Sequence, residues 1–169
     1  MRTKLLSCMA VLAAGCVTEP VASTDQPIVG GTLTPAGKYP ATGALVAEVN
    51  GTRQVFCTGT LIAPDAVLTA GHCMIAPPYI GDFTPEFTLA LDANTAPDSE
   101  IYPSRAHYTH PMFDPNTSPP GALSHAYDLA IVLLAQPIPN AEVAYLPTDA
   151  ESAALAAGIP LEITGYGQT

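Results

Sequence analysis

The feature that most constrains this chain is the stretch Cys57 to Cys73, Cys-Thr-Gly-Thr-Leu-Ile-Ala-Pro-Asp-Ala-Val-Leu-Thr-Ala-Gly-His-Cys. Two apolar, strand-like runs, Thr60 to Ala63 and Ala66 to Thr69, flank a Pro64-Asp65 turn signal. They end in a corner of small residues that presents His72 beside Cys73. Read from the residues, Cys57 and Cys73 bridge the base of a hairpin and fix His72 in place. A histidine beside a cysteine in a β protein also has a plain structural reading, and the stretch alone leaves both open.

The rest of the chain carries the same β signature. Its 18 prolines and 13 glycines punctuate short apolar runs, as turns between short strands do. There is no Trp, so the core is to be built from Val, Leu, Ile and Ala. In Gly43 to Val49, Leu45, Ala47 and Val49 alternate as in a half-buried strand. Asn50-Gly51 is a strong hairpin signal, and Val55 to Ile62 returns from it. Phe87 to Leu91 predicts a strand with Phe87, Leu89 and Leu91 on one face. Ile101 to His110 reads as a strand broken at Pro103, which has no ladder donor. Pro137 to Pro147 reads as an extended linker. A short helix is predicted from Thr148 to Ala157, with Thr148 and Glu151 at capping-box spacing and Gly158 at its C-terminal cap. Leu161 to Thr164 predicts one more strand.

Charge narrows the partners. The formal net charge is -10, and after Ile28 the basic residues are Lys38, Arg53 and Arg105. Nucleic acid needs a basic footprint, and so does electrostatic docking on anionic membranes. Neither class of partner is expected.

The histidine segment resembles that of trypsin- and chymotrypsin-like serine proteases. In that family the histidine is the general base, which assigns the role to His72. Three further stretches carry the resemblance. Ile28-Val29-Gly30-Gly31 resembles the family's activated N-terminus, although Gln26-Pro27 stand where the family has Arg or Lys. His110-Pro111-Met112-Phe113 resembles the segment ahead of the catalytic aspartate. Tyr127-Asp128-Leu129-Ala130-Ile131-Val132 resembles the aspartate segment itself, which makes Asp128 the partner of His72. Gly165-Tyr166-Gly167 resembles the family's Gly-Trp-Gly at the entry to a second barrel.

The resemblance implies an all-β fold over residues 28–169. It would be an antiparallel Greek-key barrel, the first of the family's two, plus the start of the second. The implied activity is serine endopeptidase chemistry on protein or peptide substrates, with no cofactor and no metal. His107, His110 and Asp114 have ligand-type side chains at weak spacing and read as surface polar residues. The family's nucleophile lies in a Gly-Asp-Ser-Gly-Gly stretch of the second barrel. None of Ser99, Ser104, Ser118, Ser124 and Ser152 has that context. The sequence as it stands is therefore expected to be an inactive N-terminal part, its second barrel missing or separately encoded. The alternative is a non-catalytic half-barrel lipoprotein that binds a protein partner.

The first residues look like an export signal. Arg2 and Lys4 precede a short apolar run, and Leu12-Ala13-Ala14-Gly15-Cys16 resembles a bacterial lipoprotein cleavage box. Residues 1–16 are then a signal, Cys16 the lipidated residue and residues 17–27 a tether or propeptide. Localisation would be the cell envelope or the exterior, with membrane contact only through the lipid. This leaves Cys57 and Cys73 as one pair in an oxidising compartment.

Overall fold

A computed structural model describes residues 31–75, 84–115, 127–155 and 158–166. Cys8, Cys16, the tether and Ile28 lie outside the described residues, as does Gly167. Six strands form a closed barrel among the described residues: β1 (Thr42–Val49), β2 (Thr52–Ala63), β3 (Ala66–Thr69), β4 (Glu86–Thr88), β5 (Tyr102–Thr109) and β6 (Ala130–Leu134). The order around the barrel is β1-β2-β3-β6-β5-β4, and β4 closes against β1. Every pairing is antiparallel. After β3 the chain crosses to β4 rather than to a neighbour, which is the Greek-key excursion.

The hairpins follow their turn residues. Asn50 and Gly51 have φ of 53° and 77°, the left-handed pair a tight two-residue β turn requires. β2 then runs long and serves two neighbours, pairing first with β1 and then, past Thr60, with β3. Its register against β1 skips Phe56, a bulge that bends the strand around the barrel.

The interior is aliphatic around one aromatic ring. Leu45, Leu61, Phe87, Val67, Val132 and Leu134 are fully buried in the main cluster. β1 is buried on both faces, not one: Ala44 and Val46 pack with Ala93, Val55, Ile101 and Tyr166 in a second cluster outside the barrel. Sequence alternation missed this because the covering residues come from distant loops and the chain's far end.

Three predicted strands need correction. β4 stops at Thr88, whose hydroxyl turns back to accept from Ala90 N–H at 3.1 Å. Leu89 still packs on the core, but Leu91 is exposed. β5 is continuous through Pro103, whose carbonyl accepts from Ala135 just beyond the end of β6. The missing donor therefore faces the side where β6 has ended, while Pro103 stays in register with Glu86 of β4 on the other side. Leu161 to Thr164 forms no strand, since no described segment pairs with it.

After β6 the chain has no regular element until α1 (Asp149–Ala154). Its capping box is complete: Thr148 Oγ1 accepts from Glu151 N–H, and the Glu151 carboxylate accepts from Thr148 N–H at 2.8 Å. The helix ends at Leu155, so Gly158 lies beyond the cap, although its φ is positive.

Candidate active site

The site is built where β3 ends. Thr69 is buried and its hydroxyl donates to the Thr58 carbonyl at 2.9 Å, tying the end of β3 to β2. A 3-10 turn over Gly71–Met74 follows at once. Its closing bonds run from Cys73 N–H to Ala70 O and from Ile75 N–H to His72 O, both 3.2 Å. Cys73 is also tied to Cys57 on β2 by a disulfide, with the Cα atoms 6.1 Å apart. His72 is thus held by covalent and backbone constraints on both sides.

Asp128 arrives from the other direction, immediately before β6. Ala130 pairs with Thr69, so the mouth of β6 lies beside the end of β3. The carboxylate engages His72 twice. Oδ2 accepts from the ring Nδ1 at 2.7 Å, and Oδ1 accepts from the His72 backbone N–H at 2.7 Å. An ionised carboxylate only accepts, so the ring proton belongs on Nδ1. The close approach needs a small neighbour. A Cβ on Gly71 would stand 3.0 Å from Phe113 and Thr109 side-chain carbons and 3.1 Å from Asp128 Oδ1.

The two side chains differ in exposure, 58% for His72 and 18% for Asp128. Burial pushes the Asp128 carboxyl up. Its hydrogen bonds from the His72 ring and backbone, with the imidazole charge, outweigh that and hold it below its ordinary value. The result is a sheltered anion against Nδ1 of a ring that is itself open to solvent. Such a pair can take a proton from a group presented to the far ring nitrogen, with the resulting imidazolium stabilised behind it.

His72, Asp128, Cys57 and Cys73 are therefore brought together as the sequence places them. Cys57, Cys73 and His72 cluster within 4.8 Å, but the sulfurs are joined to each other, so they offer no thiolate ligands. His107, His110 and Asp114 do not form a ligand grouping. His110 instead stacks on Tyr127, ring centroids 4.8 Å apart and planes 9° from parallel. Sequence reading passed over Tyr127. Its φ of 59° is left-handed, a conformation that costs a residue of this type about 1–2 kcal/mol.

Tyr166, at the position resembling the family's Trp, is anchored twice. Its N–H donates to Thr58 Oγ1 at 2.9 Å and its hydroxyl to the Ala90 carbonyl at 2.6 Å. Burial pushes its phenol pKa up. No helix among the described residues is long and apolar enough to cross a membrane.

Comparison with known proteins gives a consistent picture. The family profile described as Trypsin matches residues 28–169. Human chymotrypsin-like elastase family member 1 is 31% identical over 160 residues, covering 92% of this chain and 57% of that protein. Coagulation factor XII of Sus scrofa is 30% identical over 148 residues, covering 83% of this chain and 22% of its own length. Human serine protease 56 is 32% identical over 143 residues, 83% of this chain and 21% of the relative. The chain thus spans little more than half of the elastase-like relative and about a fifth of the other two.

Proposed function

The chain belongs to the trypsin family of serine proteases, and from that premise we propose that residues 28–169 carry the general-base half of a serine endopeptidase acting on protein or peptide substrates. The observation behind this reading is the double contact of Asp128 with His72, ring and backbone, at 2.7 Å each. In the family's scheme His72 takes the proton of a serine through its free ring nitrogen. Asp128 fixes the Nδ1–H tautomer and stabilises the imidazolium.

Acyl transfer also needs a nucleophile and donors for the tetrahedral oxyanion. No serine here stands in a Gly-Asp-Ser-Gly context, so we place both on a serine-bearing barrel outside residues 28–169, in the same or a separate reading frame. Residues 1–169 alone are then inactive. A serine-directed phosphonate probe should label nothing on this chain. Mixed with the serine-bearing barrel it should label that barrel, and His72→Ala should abolish the labelling. Stable labelling of any serine in residues 1–169 contradicts the proposal.

Export completes the reading. Residues 1–16 act as a lipoprotein-type signal and Cys16 carries the lipid, so the uncleaved protein is membrane-held; cleavage before Ile28 would free the domain with its family-like N-terminus. The Cys57–Cys73 disulfide fits an oxidising compartment. Cys16→Ser should move the uncleaved protein from the membrane to the soluble fraction and abolish lipid labelling. An unchanged distribution removes the anchor.

A second reading, a non-catalytic half-barrel that binds a protein, draws on the exposed apolar residues after the barrel, Tyr145, Leu161 and Ile163 among them. The DNA beyond codon 169 separates the two. A Gly-Asp-Ser-Gly-Gly stretch in any frame supports the protease; unrelated sequence favours the binding module.

A further inference from the structure

We propose that His110 and Tyr127 are positioning residues for Asp128; this rests on reading His72 and Asp128 as an acid–base pair. Asp128 lies at the apex of a three-residue turn, with Leu129 N–H donating to the Tyr127 carbonyl at 2.7 Å. That turn sets the direction of the carboxylate. It depends on Tyr127 staying at φ 59°, a region that glycine and asparagine occupy readily and tyrosine does not. Something outside the turn must hold Tyr127 there.

His110 supplies the hold, and it grips both neighbours of Asp128. Its ring stacks face to face on Tyr127. Its backbone N–H donates to the Leu129 carbonyl at 2.8 Å. The ring is itself oriented, because Nδ1 accepts from Met112 N–H at 3.2 Å. That bond requires the lone pair on Nδ1 and places the neutral ring's proton on Nε2. Just beyond Met112, Phe113 lies against the Gly71 corner. The segment Thr109 to Phe113 thus frames the Asp128 turn on one side and the His72 turn on the other.

The stack is not core packing. Tyr127 is about half exposed, at 48%. Removing its ring opens no buried cavity, so its effect on Asp128 can be separated from its effect on stability.

The test follows exchange of the His72 Nδ1 proton by NMR on the full 15N-labelled chain, with the thermal midpoint measured alongside. His110→Ala is the informative variant, since it removes the stack and leaves Tyr127 to keep its strained φ unaided. It should exchange the proton at least about tenfold faster with little change in thermal midpoint, because local opening is separable from global unfolding. Tyr127→Gly, which takes the same φ without strain, should stay close to the wild-type rate and should cancel the effect of His110→Ala in the double variant. His110→Phe and Tyr127→Phe keep the stack and should restore exchange close to wild type. The proposal is overturned if His110→Ala keeps the wild-type rate, or if His110→Ala accelerates exchange as much on the Tyr127→Gly background as on the wild type. It is equally overturned if exchange rises only in step with lost thermal stability. A wild-type chain with no protected Nδ1 proton would show that His72 and Asp128 are not paired, and the proposal falls with that reading.

Discussion

The barrel and the stretch that follows it are built on opposite principles. In the barrel, β1 to β6 satisfy one another's backbone groups in a closed ring, and Phe87, Leu61 and Val132 are wholly removed from water. After Leu134 the chain has one short helix and no strand among the described residues, and Tyr145, Leu161 and Ile163 stand 90%, 78% and 83% exposed. Its first part still joins the core, Ile138 buried in the main cluster with Ala141, Val143 and Ala144 packed against it, and Tyr166 covers the outer face of β1. Ile138 and Ala144 donate to the Pro64 and Leu61 carbonyls, Tyr166 is bonded to Thr58 and Ala90, and Glu162 pairs with Lys38. The contrast teaches where the site gets its rigidity. His72 and Asp128 both belong to the closed part, so their geometry depends first on barrel closure.

The strongest challenge to that division is Phe87→Ala. Emptying a fully buried aromatic site should cost about 3–5 kcal/mol of stability, read by urea denaturation. A loss below about 1 kcal/mol would mean the barrel is not the cooperative unit. Next comes the bridge. Replacing Cys57 and Cys73 together by Ala opens a loop with a sequence separation of 16 and should cost about 3 kcal/mol. It should also loosen the turn carrying His72, seen as faster backbone exchange at His72 and Cys73.

Smaller effects probe the tail's attachment. Tyr166→Phe removes one hydrogen bond, to the Ala90 carbonyl, and should cost about 1 kcal/mol. No change at all would mean that the tail does not dock there. Acid probes the site. The Asp128 pKa is depressed on folding, so its contribution to stability is complete above the unfolded value of about 3.9 and is lost as pH falls through the lower folded value. Asp128→Asn should lessen the loss of stability in that acid window, while Asp92, Glu151 and Glu162, whose pKa values are also held down, keep the remainder. The smallest effect belongs to Leu161→Ala and Ile163→Ala, which should each shift stability by no more than about 0.5 kcal/mol. Larger losses would show that these exposed side chains are packed.

What could be read from the sequence was what is encoded locally. Asn50-Gly51, Pro64-Asp65 and the Thr148–Glu151 capping box each fix their own turn or cap through their own chemistry, and each stands where it was placed. His72 and Asp128 were legible because long strings around both resemble one family. The failures are tertiary. The second buried face of β1 depends on Ala93 and Tyr166, far away in sequence. Leu91 fits the strand period but lies past the point where Thr88 ends the pairing. Pro103 looked like a break because only the neighbouring strand shows that its position needs no donor. Nothing in a tyrosine announces a left-handed backbone, so Tyr127 became visible only beside His110.

The central claim is that the barrel alone assembles the His72–Asp128 pair. A crystal structure of this chain, with no second barrel present, tests it most directly. The account predicts His72 Nδ1 about 2.7 Å from Asp128 Oδ2, with Oδ1 of the same carboxylate on the His72 backbone N–H. A His72 ring turned away, with its nitrogens beyond about 3.5 Å of the Asp128 carboxylate, would contradict it.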